Sequence, residues 1–165
     1  MSKTDYNITR QLQEDVIAAY IKVSGKAWDY QDAFRQIASM PAPRYYVTAK
    51  QAFQIVAPMM KGDFRKVDHM TRNKRRMYYS LFNKAMELSE QHTFRGKSLF
   101  YIMQFAVTSP APEFFLSPNR INNIRHFYRT GVTDDDGRMV KPWCETERYK
   151  RVKAERQRRK EEAIV

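Results

Sequence analysis

The chain carries the stretch PAPRYYVT at residues 41–48 and repeats it as PAPEFFLS at residues 110–117, an offset of 69 residues. The exchange of Arg44 for Glu113 is the sharp chemical difference, since a tyrosine pair is otherwise replaced by a phenylalanine pair. Proline fixes one backbone dihedral, and the residue before a proline avoids the helical region. Each proline stretch therefore predicts a stiff, extended connection between two helices.

The same offset relates apolar residues on both sides of the proline stretches. Upstream, Ile8, Leu12, Val16 and Ala19 fall on Met77, Leu81, Ala85 and Leu88; downstream, Ile55 falls on Ile124 and Gly62 on Gly131. The upstream spacing is that of one helix face. The pattern predicts an all-α fold with two pseudo-equivalent three-helix units, 1–62 and 77–131, packed together.

Local signals place the helices within each unit. The first helix is expected from about Thr4 to Val23, and the third helix of each unit is expected to be capped by Thr48 or Ser117. The first helix of the second unit is expected to begin at Met77. Residues of the second helix expected to face inward are Trp28, Ala33, Phe34 and Ile37.

The remaining segments are polar. We predict a basic connector at 63–76, an acidic loop at 132–146 and a basic C-terminal helix or tail at 147–165. Cys144 is the single cysteine and the chain starts with polar residues, which favours an intracellular protein without disulfides. No apolar stretch approaches the ~20 residues of a membrane span, so we expect no membrane association.

Positive charge is concentrated in two parts of the chain. The formal net charge is +12 and the sequence pI about 9.9. Residues 61–97 contribute +6 and residues 147–165 contribute +4. Such clustering is typical of proteins that contact nucleic-acid phosphates.

The clustered cations are the first candidate site. The basic connector supplies Arg65, Lys66, Arg72, Lys74, Arg75 and Arg76, and the tail supplies Arg148, Lys150, Arg151, Lys153, Arg156, Arg158 and Arg159. We expect the connector to contact phosphates without reading sequence, the alternative being a solvated helix start. The tail has little apolar surface, so we expect it to order on an anion or on a partner.

The helix after the second proline stretch is the candidate for reading bases. Its inner face is expected to carry Ile121, Ile124 and Tyr128, and its outer face Arg120, Asn122, Asn123, Arg125 and Arg129. Arginine pairs with guanine and asparagine with adenine, and a helix fits the major groove of DNA. The alternative is a basic amphipathic helix that is merely solvated.

The aromatic residues of the proline stretches are candidates for partner docking or base stacking. This set is Arg44, Tyr45, Tyr46, Phe114 and Phe115. We favour the alternative that the aromatic rings fill the core beneath the stretches, because adjacent phenylalanines are costly to leave in water.

Motifs for catalysis or metal binding are absent from the sequence. The three histidines and Cys144 lack metal-ligand spacing, and no glycine-rich phosphate loop is present. Asp134-Asp135-Asp136-Gly137 lacks the closing glutamate of a calcium loop and is interpreted as a turn. We therefore expect no enzyme activity, no catalytic residues, no metal site and no cofactor.

These observations predict a small basic protein that binds nucleic acid, DNA rather than RNA, mainly through phosphates. The alternative is a structural subunit of a larger assembly such as a phage virion, in which basic arms contact DNA or neighbouring subunits. The expected location is the cytoplasm in the first case and the inside of a virus particle in the second.

Overall fold

The computed structural model describes residues 3–130, 132–133, 139–141 and 154. Apart from position 154, the predicted basic helix or tail lies outside the described residues, and so does most of the acidic loop. The side chain of Arg129 also lies outside them.

The described part of the chain is built almost entirely from helices, which confirms the all-α class. It contains seven α-helices: α1 (Lys3–Ser24), α2 (Tyr30–Ala38), α3 (Ala49–Met60), α4 (Arg65–Asp68), α5 (Arg72–Glu90), α6 (Leu99–Ala106) and α7 (Pro118–Thr130). A 3₁₀ turn at His92–Phe94 lies between α5 and α6.

A short antiparallel strand pair follows the last helix. It joins β1 (Val132–Thr133) to β2 (Met139–Lys141), within the segment predicted to be a loop. The β-branched residues Val132, Thr133 and Val140 favour this extended backbone.

Side-chain caps begin the helices where the sequence predicted them. Thr48 accepts a hydrogen bond from the Gln51 backbone at 3.1 Å, and the Gln51 side chain reciprocates, forming a capping box. Ser117 accepts one from the backbone of Arg120 at 3.2 Å, which confirms both predicted caps.

Helix α5 starts at Arg72, five residues before the predicted start at Met77. Arginine and lysine favour helix, and no glycine or proline interrupts the chain between Gly62 and the predicted start at Met77. The Arg75 guanidinium also holds the end of α4 by donating to the Asp68 carbonyl at 2.7 Å. Arg72, Lys74, Arg75 and Arg76 of the basic connector thus lie in the first turns of α5.

We call helices α1, α2 and α3 one half of the molecule and helices α5, α6 and α7 the other half. The third helix of each half packs on the other half. Helix α3 packs on α5 and α6, whereas α7 packs on α1 and α2. Helices α1, α2 and α3 begin at residues 3, 30 and 49, and α5, α6 and α7 at 72, 99 and 118. Each pair of starts is separated by the same number of residues as the two proline stretches, which meet at an isolated bridge between Ala42 and Ala111.

One hydrophobic core lies between the two halves, whose third helices, α3 and α7, each pack on the other half. Its largest fully buried side chains include Phe34, Met59, Leu81, Met103 and Ile121. Because both halves contribute to it, neither half encloses the core alone.

The prediction that Trp28 faces inward is wrong, since the residue is 97 % exposed. Trp28 precedes the first residue of α2 and so lies off the periodic face that buries Ala33, Phe34 and Ile37. Its backbone N–H donates to the Asp32 carboxylate at 3.2 Å, which holds the chain in a turn before the helix.

Candidate nucleic-acid interface

A cleft of about 320 Å³ opens between the two proline stretches and the first turns of α5 and α7. Apolar and aromatic side chains form most of its wall, and Arg44, Lys74 and Arg120 are the charged residues that line it. These cations come from three segments far apart in sequence. No carboxylate is among the described residues that line the cleft.

Aromatic rings from the two proline stretches stack on one another beside this cleft. Tyr46 stacks on Phe114 with ring centres 6.0 Å apart, and Tyr45 stacks on Phe115 at 6.1 Å. Tyr45 and Phe114 are buried in the core, whereas Tyr46 and Phe115 are half-buried. The first two rings fill the core, as the favoured interpretation of these aromatics expected, and the second two remain accessible from the cleft.

Hydrogen bonds hold the two tyrosines in place. The Tyr46 hydroxyl donates to the Asp15 carboxylate of α1 at 2.6 Å, and Tyr45 shares a 2.7 Å hydrogen bond with Ser80 of α5. Burial raises the pKa of Tyr46 above its ordinary value of 10.0, and the hydrogen bond to Asp15 raises it further. The two hydrogen bonds thereby fix the orientation of both phenol groups.

Phe115 has an unusual backbone for a bulky residue. Its φ of 55° is in the left-handed region, and no other non-glycine residue in the described part of the chain has a positive φ. That conformation costs of the order of 1–3 kcal/mol and persists only where surrounding contacts impose it. The stack on Tyr45 is one such contact.

The rim of the cleft carries the cations. Lys74 and Arg120 are exposed residues in the first turns of α5 and α7. Arg44 is half-buried; it donates to its neighbour's carbonyl, that of Tyr45, and to the Gln11 side chain, both at 3.2 Å. Among the described residues, neither Lys74 nor Arg120 forms an ion pair.

The N-termini of α5 and α7, which carry the positive ends of the helix dipoles, both lie at the cleft. Thr71 and Ser117, which precede α5 and α7, both line the cleft. Neither helix has an acidic residue in its first turn, and Thr71 makes no capping hydrogen bond through its side chain. The dipoles and the cations therefore add to one positive potential.

Most of the other basic residues in the predicted phosphate patch contact protein groups. Arg65 donates to both carboxylate oxygens of Asp63, at 3.0 and 2.8 Å, and these bonds lower the Asp63 pKa from 3.8 to about 2. Arg76 forms an ion pair with Glu113 at 2.7 Å. Lys66 donates to the Gln54 carbonyl at 3.3 Å. Arg72, at the start of α5, is exposed and has no such contact within the described region.

The predicted reading helix, α7, keeps only part of its expected face. Asn122 and Asn123 are exposed, and Ile121 and Ile124 are buried as expected. Tyr128, expected on the inner face, is instead 61 % exposed, because it lies beyond the part of α7 that enters the core.

Arg125 does not lie on the open face of α7. Its guanidinium carbon is 4.4 Å from the ring centre of Tyr30 and 5.0 Å from that of Tyr20. Its Nε atom is buried and has no hydrogen-bond partner among the described residues. The cation–π contacts assign Arg125 to packing between α7 and helices α1 and α2.

A second surface on the molecule is aromatic, and the Lys97 ammonium lies over one of its rings, that of Tyr101, at 5.6 Å from the ring centre. Phe100, Tyr101 and Phe105 of α6 are each about 40 % exposed, and Phe94 packs against the last two. We call these three α6 residues the aromatic surface. This surface was not predicted, because the spacing of aromatic residues within one helix does not show which of them the fold leaves exposed.

Sequence reasoning also missed the cleft itself. The exchange of Arg44 for Glu113 between the proline stretches was the signal that could have located it, since the two positions differ in charge but share a backbone pattern. Only the fold brings Arg44 close to Lys74 and Arg120.

Metal sites and membrane spans are both absent from the described ranges. No group of three or more His, Cys, Asp or Glu residues there is arranged to hold a metal ion. No helix in that part of the chain is long and apolar enough to cross a membrane. Comparison of the chain with known protein families, curated proteins and solved structures finds no match to any of them.

Proposed function

We propose that this protein binds nucleic acid, and that Arg44, Lys74 and Arg120 hold phosphates at the cleft. The observation that carries the proposal is the convergence of three cations and two helix N-termini on one cleft whose described lining has no carboxylate. Phosphate groups satisfy both the charge and the backbone N–H donors of such a place. Arg72 extends the same positive surface along the start of α5.

We also propose that the two halves are pseudo-equivalent copies related by an approximate twofold axis. The matched helix starts, the reciprocal bridge between Ala42 and Ala111 and the crossed stacking of aromatic rings all support this. Under that equivalence, the cleft cations Arg44, Lys74 and Arg120 correspond in the other half to Glu113, Asp5 and Gln51.

The charge difference between the halves favours a ligand over a structural role. A requirement of the fold would act on both copies alike, whereas these cations occur on one side only. An anionic partner that binds one side of the molecule accounts for the difference.

Two other parts of the proposal rest on the sequence. The basic residues of 147–165 would add phosphate contacts, and Asn122 with Asn123 would read base edges from the exposed side of α7. Arg125 is not part of this proposed reading face, because its guanidinium lies against the rings of Tyr20 and Tyr30. Within this proposal the protein acts inside the cell, and DNA is the expected partner.

The test is a salt titration of binding to duplex and single-stranded DNA and RNA. The variant Lys74→Glu/Arg120→Glu should bind more weakly, and the slope of log affinity against log salt on duplex DNA should fall by about 0.9 for each phosphate that is no longer neutralised. The matched control is Lys22→Glu/Lys26→Glu, which changes the same charge on two exposed lysines, one in the last turn of α1 and one just after it, neither of which lines the cleft. Equal effects of both variants, or no salt-dependent binding by the parent, would contradict the proposal.

The aromatic surface favours a second candidate function, a structural subunit of a larger assembly such as a phage virion. Adjacent exposed aromatic residues on one helix are typical of protein interfaces. In that case Phe105→Glu should abolish concentration-dependent association in sedimentation experiments while leaving nucleic-acid affinity unchanged. A parent protein that sediments as a monomer at all concentrations, alone and with nucleic acid, would contradict self-assembly through this surface.

A further inference from the structure

We infer that the cleft binds one unpaired nucleotide of a single-stranded nucleic acid, with the base against Tyr46 and Phe115 and the phosphate at Lys74 and Arg120. This inference rests on the proposed function and names the form of nucleic acid that the same site takes.

The shape and chemistry of the cleft exclude a base pair. A duplex offers phosphates on its outside and keeps the faces of its bases stacked, so it has nothing apolar to place in a cleft. The lining of this cleft is mostly apolar, yet it includes the exposed cations Lys74 and Arg120. Its volume of about 320 Å³ is that of a small ligand site and suits one base with its sugar. A flipped or unpaired nucleotide combines the flat apolar group and the anion that these two regions require.

The rings that would contact the base are held in position before binding. Tyr46 is supported on one face by the buried Phe114 and is tied at its hydroxyl to Asp15. Phe115 is supported by the buried Tyr45 and keeps a left-handed backbone. Little conformational freedom is therefore lost when a base stacks on either ring, which favours binding.

The phosphate position follows from the two helix starts. Lys74 and Arg120 each lie in the first turn of a helix, where a cation opposes the dipole. A phosphate between them would interact favourably with both side chains and with the backbone N–H groups of both helix ends. A bound phosphate would therefore reduce the electrostatic repulsion between these cations and the positive ends of the two helix dipoles.

Asn73 provides a group for the edge of the base. It is half-buried and lines the cleft, and its side chain makes no hydrogen bond among the described residues. Its side-chain amide both donates and accepts, so it can bond to the edge that base pairing would otherwise occupy. That edge is free only in an unpaired strand.

The experiment compares fluorescence anisotropy of labelled oligothymidylate with that of a labelled duplex of equal phosphate number. We expect the full chain to bind the single strand more tightly, and Phe115→Leu to weaken single-strand binding about tenfold while leaving duplex binding unchanged. The matched control is Phe105→Leu, which replaces a ring on the aromatic surface and should change neither affinity. Duplex binding as tight as single-strand binding, or equal effects of the two leucine variants, would overturn the inference.

A competition measurement on the unaltered protein tests the same site without a substitution. Thymidine 5′-monophosphate should displace the oligothymidylate better than either thymidine or inorganic phosphate, and should still bind more weakly than the strand. If the monophosphate bound as tightly as the strand, the cleft would serve a free nucleotide and the inference would be overturned.

These outcomes separate the inference from the function on which it rests. Weaker binding to duplex and single strand alike in Lys74→Glu/Arg120→Glu, with no effect of Phe115→Leu, would retain nucleic-acid binding and reject the unpaired nucleotide. Absence of any salt-dependent binding would reject both.

Discussion

Ala42 and Ala111 exchange two backbone hydrogen bonds, from the Ala42 N–H to the Ala111 carbonyl at 3.0 Å and from the Ala111 N–H to the Ala42 carbonyl at 2.9 Å. Both alanines are buried and each stands between two prolines. Proline cannot donate a backbone hydrogen bond, so the central alanine supplies the N–H through which each stretch pairs with the other. The two stretches pair in antiparallel orientation here, and the helix that follows each stretch packs on helices of the other half.

A larger side chain at the bridge between Ala42 and Ala111 should destabilise the protein. Ala111 is 2 % exposed, so Ala111→Leu overpacks the contact and should lower the free energy of unfolding by about 1–3 kcal/mol. Urea denaturation followed by circular dichroism measures this value. Ala18→Leu, on the exposed side of α1, is the control and should have little effect. Equal stability of the two variants would show that the bridge between Ala42 and Ala111 tolerates a larger side chain, and would contradict this prediction.

Neither half should fold by itself. Because α3 packs on α5 and α6, a fragment of residues 1–62 lacks the surface that its third helix covers. We expect this fragment to show little helical circular dichroism alone, and to regain it when mixed with a fragment of residues 63–165. Cooperative unfolding of the isolated 1–62 fragment as a monomer would contradict the exchanged arrangement.

Arg125 and Arg120 lie on the same helix, but substitution of Arg125 should change stability and substitution of Arg120 should change nucleic-acid binding. Arg125→Ala removes the contacts with Tyr20 and Tyr30, so it should lower the free energy of unfolding by about 1–2 kcal/mol and leave nucleic-acid affinity unchanged. Arg120→Ala should leave stability unchanged and reduce the salt slope on duplex DNA by about 0.9. Each variant serves as the control for the other in unfolding and binding assays. Weaker affinity in Arg125→Ala at full stability would return this residue to the interface.

Stability should fall at alkaline pH. Burial raises the pKa of Tyr45, Tyr46 and Tyr78 above the ordinary value of 10.0, so the folded chain retains phenol protons that the unfolded chain loses. The unfolded state then binds fewer protons, and the free energy of unfolding decreases as pH rises above 10.0. Urea unfolding across this range, with phenolate absorbance as a second signal, measures the slope. Tyr46→Phe should make the slope shallower, and a flat profile above pH 10.0 would contradict the burial of these phenols.

The sequence by itself determined the helical class, the caps at Thr48 and Ser117 and most of the buried faces. These features depend on neighbours within about one or two helical turns, where side-chain spacing and backbone N–H donors decide the conformation. Trp28 departed from its predicted burial because its periodic spacing was counted into a helix that begins two residues later, at Tyr30.

Only the tertiary structure decided which half each third helix packs on, and therefore where the cleft lies. Local propensity is the same whether α3 covers its own half or the other, and the choice depends on the direction in which the paired proline stretches lead the chain. Packing also decided which groups each cation contacts. Arg76 pairs with Glu113 and Arg125 lies against two tyrosine rings, whereas Arg44, Lys74 and Arg120 line one cleft. Distances between remote segments depend on tertiary packing, so the spacing of residues along the chain could not predict these contacts.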